Sequence, residues 1–182
     1  GDIGLALGTS LSWFWIKRGY FSEGRQQLER ALASATNAPP ALRAWALIGL
    51  SHLTAFEVDY VTTEMLLDQS LTLAREAGDM RAVAITFGFK ALVAAEGGDF
   101  NRSQSLATAG LDAAVAVGVP WFRCLPLRML AYVAEHEGDY DRAGALFEES
   151  LALLRQTGDK WPMGILMGDL SGLRLLQGRY AE

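Results

Sequence analysis

Apolar and polar positions along the chain follow a helical spacing. In ALFEESLALLRQTGD, Leu146, Phe147, Ser150, Leu151 and Leu154 fall on one stripe, while Glu148, Glu149 and Arg155 fall outside it. No segment alternates with the period of two that a strand requires. The pattern predicts helices near 2–18, 22–36, 40–57, 61–77, 80–97, 101–117, 120–137, 141–157 and 160–177. At roughly 16 residues each, such helices are about 24 Å long.

Glycines punctuate the pattern at Gly78, Gly98, Gly118, Gly138, Gly158 and Gly178, twenty residues apart. They alternate between two classes. One precedes an aromatic residue, as in GDF at 98–100, GDY at 138–140 and GRY at 178–180; VDY at 58–60 and GYF at 19–21 continue that series. The other class ends a long helical run, at Gly78, Gly118 and Gly158. The true repeat is therefore about forty residues and holds two helices. Glycine suits a helix end because it adopts the left-handed conformation without a Cβ penalty. Asp79 and Asp159 stand where they can cap the next helix, and Pro120 can occupy a first helical turn.

Columns recur when positions are counted from Gly19, Val58, Gly98 and Gly138. Five residues on stand Gly24, Thr63, Ser103 and Ala143; nine on, Leu28, Leu67, Ala107 and Phe147. Twelve on stand Ala31, Ser70, Gly110 and Ser150; thirteen on, Leu32, Leu71, Leu111 and Leu151. Seven before stand Ser12, Ser51, Ala91 and Ala131. Small residues let two helices approach closely, and large ones fill the space toward the next hairpin. One hairpin cannot bury its apolar face alone, so hairpins stack. The leucine column is expected to be buried throughout.

This spacing resembles the tetratricopeptide repeat, TPR, over essentially the whole chain. The resemblance implies an all-α fold: a right-handed superhelix, or α-solenoid, of antiparallel hairpins. The hairpins fall at about 1–37, 38–77, 78–117 and 118–157, with a truncated fifth at 158–182, in a single repeat domain over 1–182. The superhelix is expected to be open, with its first and fourth hairpins apart. There are departures from the family. Gly8, Leu47, Phe87, Leu127 and Met167 replace its preferred tryptophan, the proline that closes the second helix is absent, and the period exceeds the usual 34 or so residues. A narrower resemblance covers LSWFWIKRGYFSEGRQQLERALA, which is similar to the opening repeat of the helical sensor region in large bacterial STAND-type signalling ATPases. Many of these end in a LuxR-type DNA-binding domain, and the maltose-regulon activator is similar in plan. The resemblance implies a segment that senses a ligand or partner and contacts the other domains of a parent protein. No part of the chain resembles the ATPase or the DNA-binding domain.

Composition narrows the setting. The 182 residues are 51% hydrophobic, enough for a continuous core, and carry 21 Asp and Glu against 16 Lys and Arg. An acidic surface with no basic tract argues against direct nucleic-acid or anionic-membrane contact. No apolar run approaches the ~18 residues that span a bilayer. One cysteine, Cys124, allows no internal disulfide, which fits a cytoplasmic setting; it reads as a small buried residue on a helix.

No phosphate-binding loop, dinucleotide fingerprint, zinc-protease or CxxC motif, or nucleophile elbow is present. His52 and His136 lie on different hairpins. The sequence thus points to a non-catalytic binding scaffold with no cofactor and no metal. By the resemblance, the first helix of each hairpin lines the concave groove. That selects Thr9, Trp13, Ile16 and Lys17; Ile48, His52, Ala55 and Phe56; Gly88, Leu92, Ala95 and Glu96; and Arg128, Tyr132, Glu135 and His136. Trp13, His52, Leu92 and Tyr132 share one column, and rings with polar handles suit a peptide or small-ligand groove. Trp13 and Leu92 are core residues instead if their helices are slightly rotated. Lys90 stands in a column otherwise held by Leu11, Leu50, Leu130 and Leu170, where it either snorkels or points into the groove. Glu57, Glu96 and Glu137, in last helical turns, are either solvated or form an acidic groove edge.

Three functions compete: a sensor binding a protein, peptide or small-molecule effector, a structural spacer with an empty groove, and a helical segment of an enzyme whose chemistry lies elsewhere. The chain also reads as a fragment. GRYAE starts a turn that no second helix follows, which leaves Ile165, Leu166, Leu170, Leu173 and Leu176 near one uncapped end and Leu5, Leu7, Leu11 and Trp15 near the other. Self-association through these terminal helices is the expectation.

Overall fold

A computed structural model of the chain describes residues 1–178. Among the described residues there are nine α-helices and no strand: α1 (Asp2–Arg18), α2 (Phe21–Ser34), α3 (Pro40–Phe56), α4 (Tyr60–Glu76), α5 (Met80–Glu96), α6 (Phe100–Val117), α7 (Cys124–His136), α8 (Tyr140–Thr157) and α9 (Lys160–Leu176). Each packs on its neighbours in chain order, and α1, α3, α5 and α7 also pack in series, so the fold is an all-α solenoid. No described helix is long and apolar enough to cross a membrane.

The turns repeat one design. Gly78, Gly98 and Gly138 take φ of 66°, 78° and 81°, and the aspartate that follows accepts backbone N–H bonds at the start of the next helix. Asp59 and Asp159 cap α4 and α9 in the same way. Val58 holds the glycine position of its turn at φ 61°, the one non-glycine residue with positive φ among the described residues. A β-branched residue is strained there. Tyr180, the aromatic of the last repeated turn, lies outside the described residues.

The columns become the joints between helices. Leu28, Leu67, Ala107 and Phe147 are all fully buried. So are Thr63, Ser103 and Ala143, with Gly24 beside them, where a Cβ would come within 2.9 Å of Trp15. The buried hydroxyls are paired, as such groups must be. Ser70 donates to the Ala44 carbonyl at 3.1 Å and Ser150 to the Cys124 carbonyl at 3.0 Å, two equivalent contacts; Gly110, between them in the same column, faces the Ala84 carbonyl.

Three expectations need correction. The leucine column is not uniform: Leu71 and Leu151 are buried, but Leu32 and Leu111 are only half-buried. The helix expected over 120–137 splits into a 3-10 turn, Pro120–Arg123, and α7. The backbone after Pro120 winds too tightly to continue as α-helix. The ends of the array also meet. Trp13 of α1 contacts Trp121 in the fourth hairpin, with ring centroids 6.4 Å apart, and Trp161 of α9 at 5.8 Å. The solenoid curves far enough for large side chains to reach across its hollow, although the helix axes keep to sequential packing. At the two ends, Leu5, Trp15, Leu166, Leu170 and Leu173 are buried, while Leu7, Leu11 and Leu176 are exposed.

Candidate functional site

The first helix of each hairpin turns its inner face toward a shared hollow, and the hollow is a cavity of about 480 Å³. Residues from every hairpin line it. Trp13 comes from α1, His52 and Phe56 from α3, Phe89 and Leu92 from α5, Trp121 from the 3-10 turn, Arg128 from α7 and Trp161 from α9. The walls are mainly aromatic and aliphatic, with a few polar atoms, which is the make-up of a small-molecule site.

His52 is the polar centre of this wall. It is 8% exposed and packed among rings: Trp13 edge-on at 5.2 Å, Phe89 at 4.5 Å and Phe56 stacked at 5.3 Å between centroids. No described residue hydrogen-bonds either ring nitrogen. Burial lowers its pKa to about 3, so the ring is neutral at physiological pH.

Arg128 enters the lining from α7, already engaged. Its Nε donates to Asp169 Oδ2 at 2.6 Å and its Nη2 to the Tyr132 hydroxyl at 2.9 Å. That hydroxyl in turn donates to Asp169 Oδ1 at 2.7 Å. The closed triangle joins α7 to α9 and neutralises the guanidinium. Burial, with Arg128 opposing and Asp169 reinforcing it, pushes the Tyr132 hydroxyl up to about 12. Lys17 and Asp159 approach to 3.5 Å at one rim, where the Lys17 ammonium also lies 6.0 Å from the Trp13 ring.

The structure gathers Trp13, His52, Phe56, Leu92 and Arg128, together with Ala55 and Glu96, at the cavity. Lys17 stays at the exposed rim. Tyr132, Glu135 and His136 are not among the lining residues. Tyr132 leaves its column's groove role because it ties Asp169 and packs edge-on against Phe147 at 5.6 Å. Glu135 is half-buried, and burial, then the neighbouring Asp169, raises its carboxyl above the ordinary range. His136 is exposed and lies flat on Phe100, with centroids 3.7 Å apart. Of the remaining groove positions, Ile16, Ile48 and Gly88 are buried in the packing rather than open to the hollow. The stem of Lys90 is buried and its ammonium reaches Glu64 and Asp68 on α4, so it snorkels to the outside. Glu57 accepts from Ser22 and Arg25 of the first hairpin, Glu96 from the Tyr60 hydroxyl and Glu137 from Arg142, so these carboxylates are local ties.

Sequence reasoning missed Trp121 and Trp161, which face the hollow although they stand in first helical turns. A signal existed. Each lies three residues after a turn glycine, Gly118 and Gly158, one full repeat apart. Phe89 was hidden because its equivalents, Ser10, Gly49 and Met129, share no chemistry with it. Cys124 also reaches the cavity wall, and burial pushes its thiol up to about 11, away from reactivity.

Fold and site together define an all-α solenoid with an aromatic hollow. Among solved structures the chain is similar to BtubC (BKLC) from P. vanneervenii, with a TM-score of 0.68 and 18% identity over 93% of this chain and 71% of that one. That likeness shows the fold alone. No protein-family model matches the chain, and no curated protein does.

Proposed function

We propose that the chain is a non-catalytic sensor segment that takes an effector in the hollow of its solenoid. The carrying observation is the cavity itself: about 480 Å³, walled by rings from every hairpin, with one buried and unpartnered imidazole in its wall. A core that served packing alone would have filled that space. The repeat columns favour a TPR-like binding scaffold. The opening LSWFWIKRGYFSEGRQQLERALA favours a place in a cytoplasmic bacterial signalling or transcription-regulatory protein of the STAND type, where an occupied hollow would be read by other domains. Proteins, peptides and small molecules are all candidate effectors, and the enclosure by Trp13 and Trp161 favours the smallest.

A thermal-shift screen of small metabolites tests the reading, run on the chain and on Ala55→Trp, which fills the hollow from α3. The expected result is a ligand that raises the melting temperature of the chain and leaves the filled variant unmoved. A screen with no stabilising ligand, or with equal shifts in both proteins, would favour a structural spacer.

A further inference from the structure

We propose that the hollow takes an uncharged, largely aromatic or aliphatic small molecule whose hydrogen-bonding group meets the imidazole of His52. This rests on the reading of the hollow as an effector site and narrows it to a chemical class.

His52 points to the ligand first. More than nine-tenths of it is buried, it lines the cavity, and no described residue partners its nitrogens. Its nitrogens are not sealed in the packing but remain accessible at the cavity wall, where a ligand can reach them. A neutral imidazole offers one donor and one acceptor, so a hydroxyl, amide or carbonyl completes it. Held neutral by burial, it supplies no counter-charge for a carboxylate or phosphate.

The charges around the hollow lead to the same class. Arg128 is neutralised by Asp169 and tied to Tyr132, and Lys17 is paired with Asp159. An anion would have to break one of these pairs or lose its water without compensation. A quaternary ammonium is the stronger competitor, since three tryptophans and Glu96 stand nearby. It requires open ring faces around it. Here Trp13 meets His52, Trp121 and Trp161 in edge-to-face contacts, each of which covers one ring face and turns the two rings away from a shared centre. Arg128 also stands in the same wall. The volume lies within the ~300–1,000 Å³ of small-molecule pockets, and the Trp13–Trp161 contact crosses the path that an extended peptide would follow.

Four probes of similar bulk separate the classes: 2-naphthol, naphthalene, 2-naphthoate and phenyltrimethylammonium, each titrated calorimetrically into the whole chain at neutral pH. We expect 2-naphthol to bind at least about tenfold more tightly than either charged probe, because each ion loses hydration without a partner. It should also exceed naphthalene by about tenfold, the worth of one good hydrogen bond. His52→Phe should erase the preference for 2-naphthol over naphthalene while keeping the binding of naphthalene and the melting temperature. His52→Gln, which keeps a donor and an acceptor, should restore part of the preference. Tighter binding of either charged probe would overturn the uncharged class and leave the effector-site reading standing. A hydroxyl preference that survives in His52→Phe would overturn the role of His52. Binding of none of the four would overturn both this inference and the effector-site reading.

Discussion

Phe147 and Trp161 are both large aromatic residues on adjacent helices, yet they answer to different demands. Phe147 is fully buried at the joint of α7, α8 and α9, in a column that repeats as Leu28, Leu67 and Ala107. Trp161 is half-buried and crosses the hollow toward Trp13, His52 and Phe56. The joint is defined by volume and recurs from hairpin to hairpin. The inner face is defined by individual chemistry: one of its columns reads Trp13, His52 and Leu92. Joints hold the array together, whereas the hollow leaves space that packing alone does not require.

That contrast can be tested first at its extremes. Phe147→Ala should cost about 3–5 kcal/mol in urea unfolding, the toll of a large cavity in a filled core. Trp161→Ala should cost clearly less, because its ring already borders open space. Equal costs would make the inner face an ordinary core and break the comparison. Within the joints, Leu151→Ala should cost about 2–5 kcal/mol. Leu111→Ala should cost less than half of that, since Leu111 is only half-buried. A reversed order would mean that burial does not govern this column.

The fold was largely legible because joints repeat. Glycine spacing, capping aspartates and the small-residue columns each occur several times, so errors at one hairpin were corrected by the others. What failed was local. Leu32 and Leu111 carry the right residue without the expected burial, and Pro120 starts a 3-10 turn that has no counterpart among the other described hairpins. The site was only half legible. Trp13, His52, Phe56, Leu92 and Arg128 border the cavity. Tyr132 shares the column of His52 but meets Asp169, a partner that no other repeat supplies and that no column could announce. Register says where a side chain starts, and the neighbours decide where it ends.

A pH series sharpens the comparison from the inner side. The His52 ring takes a proton near 6.5 in the unfolded chain but only near 3 in the fold. Between those values the unfolded state binds more protons, so stability falls as pH falls; above about 6.5 the contribution is complete. From pH 6.5 to 5 the loss should be about 1–2 kcal/mol. The His52→Phe variant should lack that portion of the slope. An unchanged slope would place the imidazole in water rather than among the rings.

The smallest effect concerns Val58, which borders the cavity in a glycine's conformation. Val58→Gly should raise stability by about 0.5–1 kcal/mol, as relief of left-handed strain exceeds the extra freedom gained by the unfolded chain. A drop in melting temperature would show that the turn carries no strain.

The contact between Trp13 and Trp161 has a consequence for how the array comes apart. Repeat arrays behave as one-dimensional chains in which each unit feels only its neighbours, so the ends fray and the middle persists. Here Lys17 and Asp159, 142 residues apart in sequence, also meet at the rim. Such a link ties α1 to α9 across the hollow although their axes do not pack on each other, so loosening of α1 is felt at α9. It also raises the entropy to be overcome before the last contacts form, which slows folding. A molecule seated between those ends would touch every hairpin at once and convert local order into cooperative order along the whole array.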